Sequence, residues 1–78
     1  MFTHDYEVFL QTLRQTRIGA GITQVELAAR IGETQSWVSM VERGQRRLDL
    51  MEVRVICQAL GLTLLEFVEQ VEAALKNS

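Results

Sequence analysis

The sequence has little of the residues from which catalytic and metal sites are most often built, because it contains one cysteine, Cys57, and one histidine, His4. A single cysteine cannot form an intramolecular disulfide, and no set of cysteine and histidine residues has metal-ligand spacing. No nucleophile is paired with a base, and Gly19 and Gly21 lack the strand-to-helix context of a phosphate-binding loop. These absences predict a protein that is not an enzyme and binds no metal or cofactor.

Long apolar segments are also missing from the chain. No segment approaches the roughly 20 apolar residues that span a bilayer, and the N-terminal residues lack the basic and apolar regions of a secretory signal. We therefore expect a cytoplasmic protein with no membrane contact. A reducing compartment suits a lone thiol, and Cys57 is expected to fill space in the core rather than to sense redox state.

The formal net charge of −2 argues against a protein that coats nucleic acid without preference, but this charge is unevenly distributed. Residues 14–47 hold six arginines and three glutamates, a net charge of +3, whereas residues 48–78 hold five acidic and two basic residues, a net charge of −3. A local basic surface matters more for DNA affinity than the total charge does.

The basic part of the chain contains two predicted short helices with a tight turn between them. Thr23 and Glu26 have the T-x-x-E spacing of a capping box at the start of the first helix, and Gly32 stops that helix. Thr34 caps the second helix, which runs to Arg43 and is stopped by Gly44. In the first helix, the apolar residues expected to face the core are Val25, Leu27, Ala28 and Ile31.

The second of these helices has two different sides. At about 100° per residue, Trp37, Val38 and Val41 cluster on an apolar side that faces the core, with Met40 on its border. The opposite side carries Gln35, Ser36, Ser39 and Arg43. This polar side is either the solvated face of an amphipathic helix or a surface for base edges and phosphates in a DNA major groove.

These residues belong to a longer pattern that resembles the Cro/repressor-type (Xre) helix-turn-helix family from Leu13 to about Phe67. The resemblance implies an all-α, five-helix, lambda-repressor-like domain over residues 1–78, with the helix-turn-helix at helices 2 and 3. It is carried by Leu13-Arg14, Arg17, Gly21, Thr23-Gln24, Glu26-Leu27-Ala28, Ile31-Gly32, Gln35-Ser36, Val38-Ser39, Glu42-Arg43-Gly44, Arg46-Arg47 and Ala59-Leu60-Gly61-Leu62.

The family resemblance also implies which residues contact DNA. Gln35 is the first candidate for base readout, because a glutamine amide can pair with adenine N6 and N7. The other candidates for base readout are Ser36, Ser39, Thr34 and Met40. The candidates for phosphate contact are Gln24, Trp37, Arg43, Gln45, Arg46 and Arg47. Gln24 also resembles the family glutamine that braces the first side chain of the recognition helix, here Gln35.

A charged residue on the inward side of helix 1 needs a partner. In the family the arginine at the position of Arg17 pairs with the glutamate near the end of the recognition helix, here Glu42. We therefore expect an ion pair between Arg17 and Glu42 that holds helix 1 against helix 3. The alternative is two separate surface charges, which would contribute little to stability.

Three further helices complete the predicted domain. Helix 1 is expected from about Asp5 to Ile18, helix 4 from Asp49 to Ala59, and helix 5 over about residues 63–76. The inward residues of helix 1 are expected to be Tyr6, Phe9, Leu10 and Leu13. Those of helix 4, which starts with an Asp49 and Glu52 capping box, are Leu50, Val53, Ile56, Cys57 and Leu60.

Helix 5, capped by Thr63 and Glu66, has a wider apolar stripe than one side of a small core requires. At 78 residues the chain is near the lower limit for a self-sufficient core, and a second copy could supply the missing burial. Either the stripe wraps an edge of its own domain, or it forms a homodimer interface. The candidate interface residues are Leu64, Phe67, Val68, Val71 and Leu75.

Together these features predict a sequence-specific transcriptional regulator of double-stranded DNA. We expect a homodimeric repressor or autoregulator on a palindromic operator, because repression needs only occupancy of a promoter. The alternative is an antitoxin or another module that uses the same fold to bind a protein partner. The acidic side of helix 5, formed by Glu66, Glu69 and Glu72, could supply that protein-binding surface.

Overall fold

A computed structural model describes residues 3–78 as five α-helices joined by short loops. The predicted all-α, five-helix fold is confirmed for this part of the chain, and residues 1 and 2 of the predicted domain lie outside it. None of these helices is long and apolar enough to cross a membrane. The helices are α1 (Thr3–Gly19), α2 (Gln24–Ile31), α3 (Gln35–Glu42), α4 (Leu50–Ala59) and α5 (Leu64–Lys76).

Four of the helices, α2 to α5, begin where the polar caps in the sequence place them. In α2 the Thr23 hydroxyl accepts the backbone N–H of Glu26, whose carboxylate accepts the N–H of Thr23 in return. The same reciprocal pair caps α4 and α5, and Thr34 caps α3 through the N–H of Trp37. The backbone hydrogen bond from Thr23 is the main cause of a lowered pKa at Glu26.

A glycine lies at the C-terminal end of each of the two helices of the helix-turn-helix. Gly32 follows α2 with φ of 73°, and Gly44 follows α3 with φ of 76°, a left-handed conformation that side chains with a Cβ rarely adopt. At Gly44 a Cβ would also lie 3.1 Å from Leu10 Cδ1 of α1. The loop after α3 therefore runs close against α1.

The core lies where all five helices meet. α1 packs on α3 and α5, and α2 packs on α3 and α4. Phe67 of α5 is 1% exposed and meets the Phe9 ring edge to face, with the ring centroids 5.9 Å apart. The connected buried cluster is Leu13, Ile22, Leu27, Ala28, Val38, Val41, Val53, Ile56, Cys57, Leu60 and Phe67.

Two residues predicted to face inward lie at the surface instead. Val25 is 62% exposed and Leu50 is 60% exposed, so both predictions are wrong. Val25 lies two positions before the buried Leu27, about 200° away around the helix, on the opposite side of α2. Leu50 is the first residue of α4, one turn before Val53, where burial begins.

The apolar stripe of α5 is mostly used within its own domain. Phe67 is a core residue, so its prediction as a dimer contact is wrong, because nothing outside the domain can reach it. Leu64 and Val71 are half-buried against the same core. The large exposed apolar residues of α5 are Val68 and Leu65, which is 69% exposed and was not among the predicted interface residues.

Candidate nucleic-acid interface

The polar side of α3 stays uncovered when the chain folds. Gln35 and Ser36 are exposed in the first turn, and Ser39 is partly exposed one turn later. Val38, on the other side of the helix, is buried in the core. Arg43, at the C-terminal cap, is also exposed. The helix thus presents amide, hydroxyl and guanidinium groups to solvent, and these groups can hydrogen-bond base edges and phosphates.

Gln35 does not project freely from this surface. Its Nε2 donates to Oε1 of Gln24, at the start of α2, over 3.0 Å. Gln24 Nε2 donates in turn to Glu42 Oε1, at the end of α3, also over 3.0 Å. The side chain predicted to read a base is therefore held by the neighbouring helix, which reduces the conformational freedom it must lose on binding.

Glu42 and Arg17 form the ion pair that the family resemblance implied. Arg17 Nε donates to Glu42 Oε2 over 2.6 Å and its Nη2 donates to Oε1 over 3.1 Å, while Nη1 donates to the Ile22 carbonyl over 2.8 Å. The side chains are 11% and 2% exposed, so these are not two separate surface charges. The pair fixes α1 against the end of α3 and the start of α2.

Arg14, which was not predicted to be part of the site, lies next to the Glu42 carboxylate. Its Nε is 3.7 Å from Glu42 Oε1, its Nη2 donates to the Glu42 carbonyl over 3.4 Å, and its side chain is about half exposed. Arg14 and Arg43 line one surface depression between α1 and the end of α3. Only the spacing of Arg14 three residues before Arg17 could have suggested this position.

Arg46, a predicted phosphate contact, pairs with a neighbouring carboxylate. Its Nη2 donates to Glu52 Oε2 over 2.8 Å, its Nη1 donates to the Arg47 carbonyl over 2.8 Å, and the guanidinium lies 4.8 Å from the centre of the Trp37 ring. The hydrogen bond that Arg46 donates to the Glu52 carboxylate raises the pKa of Arg46. Glu52 therefore offsets part of the charge of Arg46, and the phosphate contact of Arg46 stays a prediction.

The remaining predicted contacts lie around the two ends of α3. The Thr34 hydroxyl oxygen already accepts the Trp37 N–H, which leaves its hydroxyl hydrogen and methyl group for a ligand. Arg47 is exposed, with its guanidinium 4.3 Å from the centre of the Tyr6 ring, and Gln45 is exposed beside it. Met40 is half-buried, as its border position predicted, and so is Trp37.

Comparison with known proteins identifies a matching family and similar folds. The chain matches the family described as helix-turn-helix over residues 13–67. It is similar to an XRE-family like protein from Pseudomonas syringae pv. tomato str. DC3000, with 42% identity and a TM-score of 0.82, over 88% of this chain and 84% of that chain.

A structure of the clp gene regulator ClgR from Corynebacterium glutamicum superposes with a TM-score of 0.79 at 24% identity, over 90% of this chain and 74% of that one. At this identity the likeness shows the fold alone. The chain is also 40% identical over 48 residues to an uncharacterized HTH-type transcriptional regulator, y4dJ, from Sinorhizobium fredii (strain NBRC 101917 / NGR234). The match covers 62% of this chain and 62% of that regulator, so the chain spans less than two thirds of its curated relative.

Proposed function

This chain belongs to the Xre family of helix-turn-helix DNA-binding transcriptional regulators, and from that premise we propose that α3 reads a specific base sequence in the major groove. The observation that carries the proposal is the exposed polar side of α3, with Gln35 held by Gln24. Gln35, Ser36 and Ser39 are the groups for base edges, and Thr34 and Met40 flank them. A helix lying in the major groove with its N-terminal residues on the bases is the docking mode of this motif.

Selection of bound sequences from a random pool of duplexes tests base readout directly. We expect the parent protein to enrich one short sequence, and Gln35→Ala to lose preference at a single position of it. One good bidentate contact contributes about 1–3 kcal/mol of discrimination between bases. A matched control is Gln58→Ala on the exposed side of α4. Equal enrichment of all sequences by the parent would overturn the proposal.

The cations around α3 are proposed to contact phosphates. Arg43 and Arg47 are exposed, and Arg14 lies in the same depression as Arg43. Gln24 and Gln45 can add uncharged phosphate contacts at the two ends of the helix-turn-helix. Contacts to phosphates position the protein and carry little sequence information, so they affect all duplexes about equally.

The salt dependence of affinity separates these cations from Arg46. Arg47→Ala should reduce the slope of log K against log salt by about one and weaken all duplexes equally. Arg46→Ala should reduce that slope less, because Glu52 already compensates its charge. An equal loss of slope in both variants would show that Arg46 leaves Glu52 to contact a phosphate.

We further propose that the protein acts as a homodimeric repressor or autoregulator on a palindromic operator. A two-fold pair of recognition helices would read half-sites about 34 Å apart. The support is the exposed apolar pair Leu65 and Val68 on α5, with the half-buried Leu64, Val71 and Leu75 on the same helix.

Sedimentation equilibrium of the parent and of Val68→Glu, free and with operator duplex, tests the dimer. A dimer that dissociates in the variant would support it, and a monomer at tens of micromolar under all conditions would refute it. The matched control is Val25→Glu, which places the same charge on an exposed valine of α2.

A further inference from the structure

Two consecutive arginines in the loop after α3 each have the guanidinium carbon over an aromatic ring. That of Arg46 lies 4.8 Å from the centre of the Trp37 ring, and that of Arg47 lies 4.3 Å from the centre of the Tyr6 ring of α1. We propose that Tyr6 is a positioning residue for DNA binding, because its ring holds the Arg47 guanidinium in place for a phosphate. This inference rests on the proposed function, in which Arg47 contacts the DNA backbone.

The two arginines differ in what their N–H groups contact. Arg46 donates to the Glu52 carboxylate and to the Arg47 carbonyl. The Arg47 guanidinium forms no salt bridge within residues 3–78, and its contact there is the Tyr6 ring. A cation over a ring is attracted through its charge, so the contact does not require the N–H donors of the guanidinium. Tyr6 therefore holds Arg47 and leaves its donors for a phosphate.

The loop that carries Arg47 lies along one side of α1. A Cβ on Gly44 would lie 3.1 Å from Leu10 Cδ1, so the start of the loop runs close to Leu10. Tyr6 is four residues before Leu10, on the same side of the helix, and it meets Arg47 further along the loop. Tyr6 lies before residues 13–67, over which the chain matches the family, so the family match does not assign it a role.

The contact with Tyr6 also sets where Arg47 lies relative to the other exposed cations. Arg14 and Arg43 line one depression between α1 and the end of α3. Tyr6 is eight residues before Arg14, which is about 12 Å along a helix. The ring thus keeps Arg47 apart from the other two guanidinium groups, and the three cations can reach separate phosphates.

Tyr6 is itself held by the core. Its ring is half-buried and lies 5.3 Å from the Phe9 ring, centre to centre, and Phe9 packs in turn on the buried Phe67. Arg47 is exposed, and an exposed arginine must give up much of its conformational freedom when it binds a phosphate. A ring fixed to the core restricts Arg47 before DNA arrives and so lowers that entropic cost.

Replacement of the ring tests the positioning role. Tyr6→Leu keeps an apolar side chain on α1 but removes the aromatic face, and we expect the affinity for all duplexes to fall by about 2- to 5-fold, the contribution of an exposed cation–π contact. Tyr6→Phe should retain the parent affinity, because it removes only a buried hydroxyl that has no hydrogen-bond partner within residues 3–78. The matched control is Phe9→Leu, which removes a ring that packs on Phe67 and should leave the affinity of the folded protein unchanged.

The salt dependence of affinity and a double-variant cycle separate positioning from charge. Tyr6→Leu should keep the parent slope of log K against log salt, because Arg47 still neutralises a phosphate once it is bound, whereas Arg47→Ala should reduce that slope by about one. In an Arg47→Ala background, Tyr6→Leu should lower the affinity no further. A loss that persists in that background would overturn the proposal, and so would equal affinities of Tyr6→Leu and the parent.

A measurement on the free protein tests the same contact without DNA. The Arg47 Nε–H should show restricted motion by ¹⁵N relaxation in the parent and in Tyr6→Phe, and greater motion in Tyr6→Leu. Equal motion in all three would overturn the proposal even where DNA binding is specific. An Arg47→Ala variant that binds as tightly as the parent would overturn the phosphate contact and this inference with it. A parent without base preference would overturn only the proposed base readout, because phosphate contacts act on every duplex.

Discussion

Replacement of Arg17 by alanine should be among the most destabilising single changes in this protein. The change leaves the Glu42 carboxylate, 2% exposed, without the two hydrogen bonds that it receives from Arg17 at 2.6 and 3.1 Å. Breaking a buried pair by removing one partner costs about 3–5 kcal/mol, because the remaining charge is neither solvated nor compensated. Gln24 and Arg14 stay near the carboxylate, which favours the lower end of that range.

This loss is large on the scale of the whole domain. A chain of 78 residues is expected to unfold with a free energy of about 4–12 kcal/mol, at about 0.05–0.15 kcal/mol per residue. One kcal/mol shifts the melting temperature of such a domain by about 4–8 °C, so Arg17→Ala should melt at least about 12 °C below the parent.

Urea unfolding measures the effect with two probes. Far-UV circular dichroism follows the helices, and the fluorescence of Trp37, the single tryptophan, follows the environment of this half-buried side chain of α3. Arg54→Ala is the matched control, because Arg54 is exposed on α4 and forms no salt bridge within residues 3–78. It should change the free energy of unfolding by less than about 0.5 kcal/mol.

A second variant separates loss of the pair from loss of packing. Arg17→Met combined with Glu42→Leu removes both charges together, so no uncompensated charge remains, and such replacements are often neutral. We expect the double variant to recover most of the stability lost by Arg17→Ala. A loss below about 1 kcal/mol in Arg17→Ala, or no recovery in the double variant, would refute the reasoning.

Three further predictions concern other parts of the molecule. Burial raises the pKa of the Cys57 thiol to about 11, so at pH 8 it should react with a disulfide reagent far more slowly in the native protein than in urea; equal rates would contradict this. The hydrogen bond from Arg46 lowers the pKa of Glu52 below its unfolded value, so this group contributes stability above the unfolded pKa that is lost as the pH falls through the folded pKa. Glu52→Gln should therefore make the free energy of unfolding, measured in urea at several pH values, less sensitive to acid, and parallel pH profiles would argue against this. Gly44→Ala should destabilise more than Gly32→Ala in the same urea assay. Both changes place a Cβ on a residue with left-handed backbone angles, but only at Gly44 would this Cβ meet another side chain, 3.1 Å away.

Local sequence rules were sufficient to predict where α2, α3, α4 and α5 begin. Thr23, Thr34, Asp49 and Thr63 all cap helices at the residues where the sequence predicted them. A cap is a contact between residues two or three positions apart, so the sequence alone contains the information. The alternation of apolar and polar residues on α3 is equally local, and it predicted the exposed side of that helix.

The sequence was less informative about which apolar residues of each stripe are covered. Leu50 and Val25 carry the right residue type at helical spacing but lie at the surface, and Phe67 lies in the core rather than at an interface. Helical periodicity gives the side of a helix but not where the neighbouring helix ends. The extent of coverage depends on the packing of α1 against α5 and of α2 against α4, which no local pattern records.

The sequence by itself determined the helices, their caps and, through the family pattern, the pairing of Arg17 with Glu42. The family pattern also predicted that Gln24 braces Gln35. Only the tertiary structure decided that Glu52 compensates Arg46 and that Gln24 also donates to Glu42. Hydrogen bonds have strict limits on distance and direction, so a glutamine or arginine that could bind many partners takes the one that folding brings within about 3 Å. That choice depends on how three helices pack, and it cannot be read from any one of them.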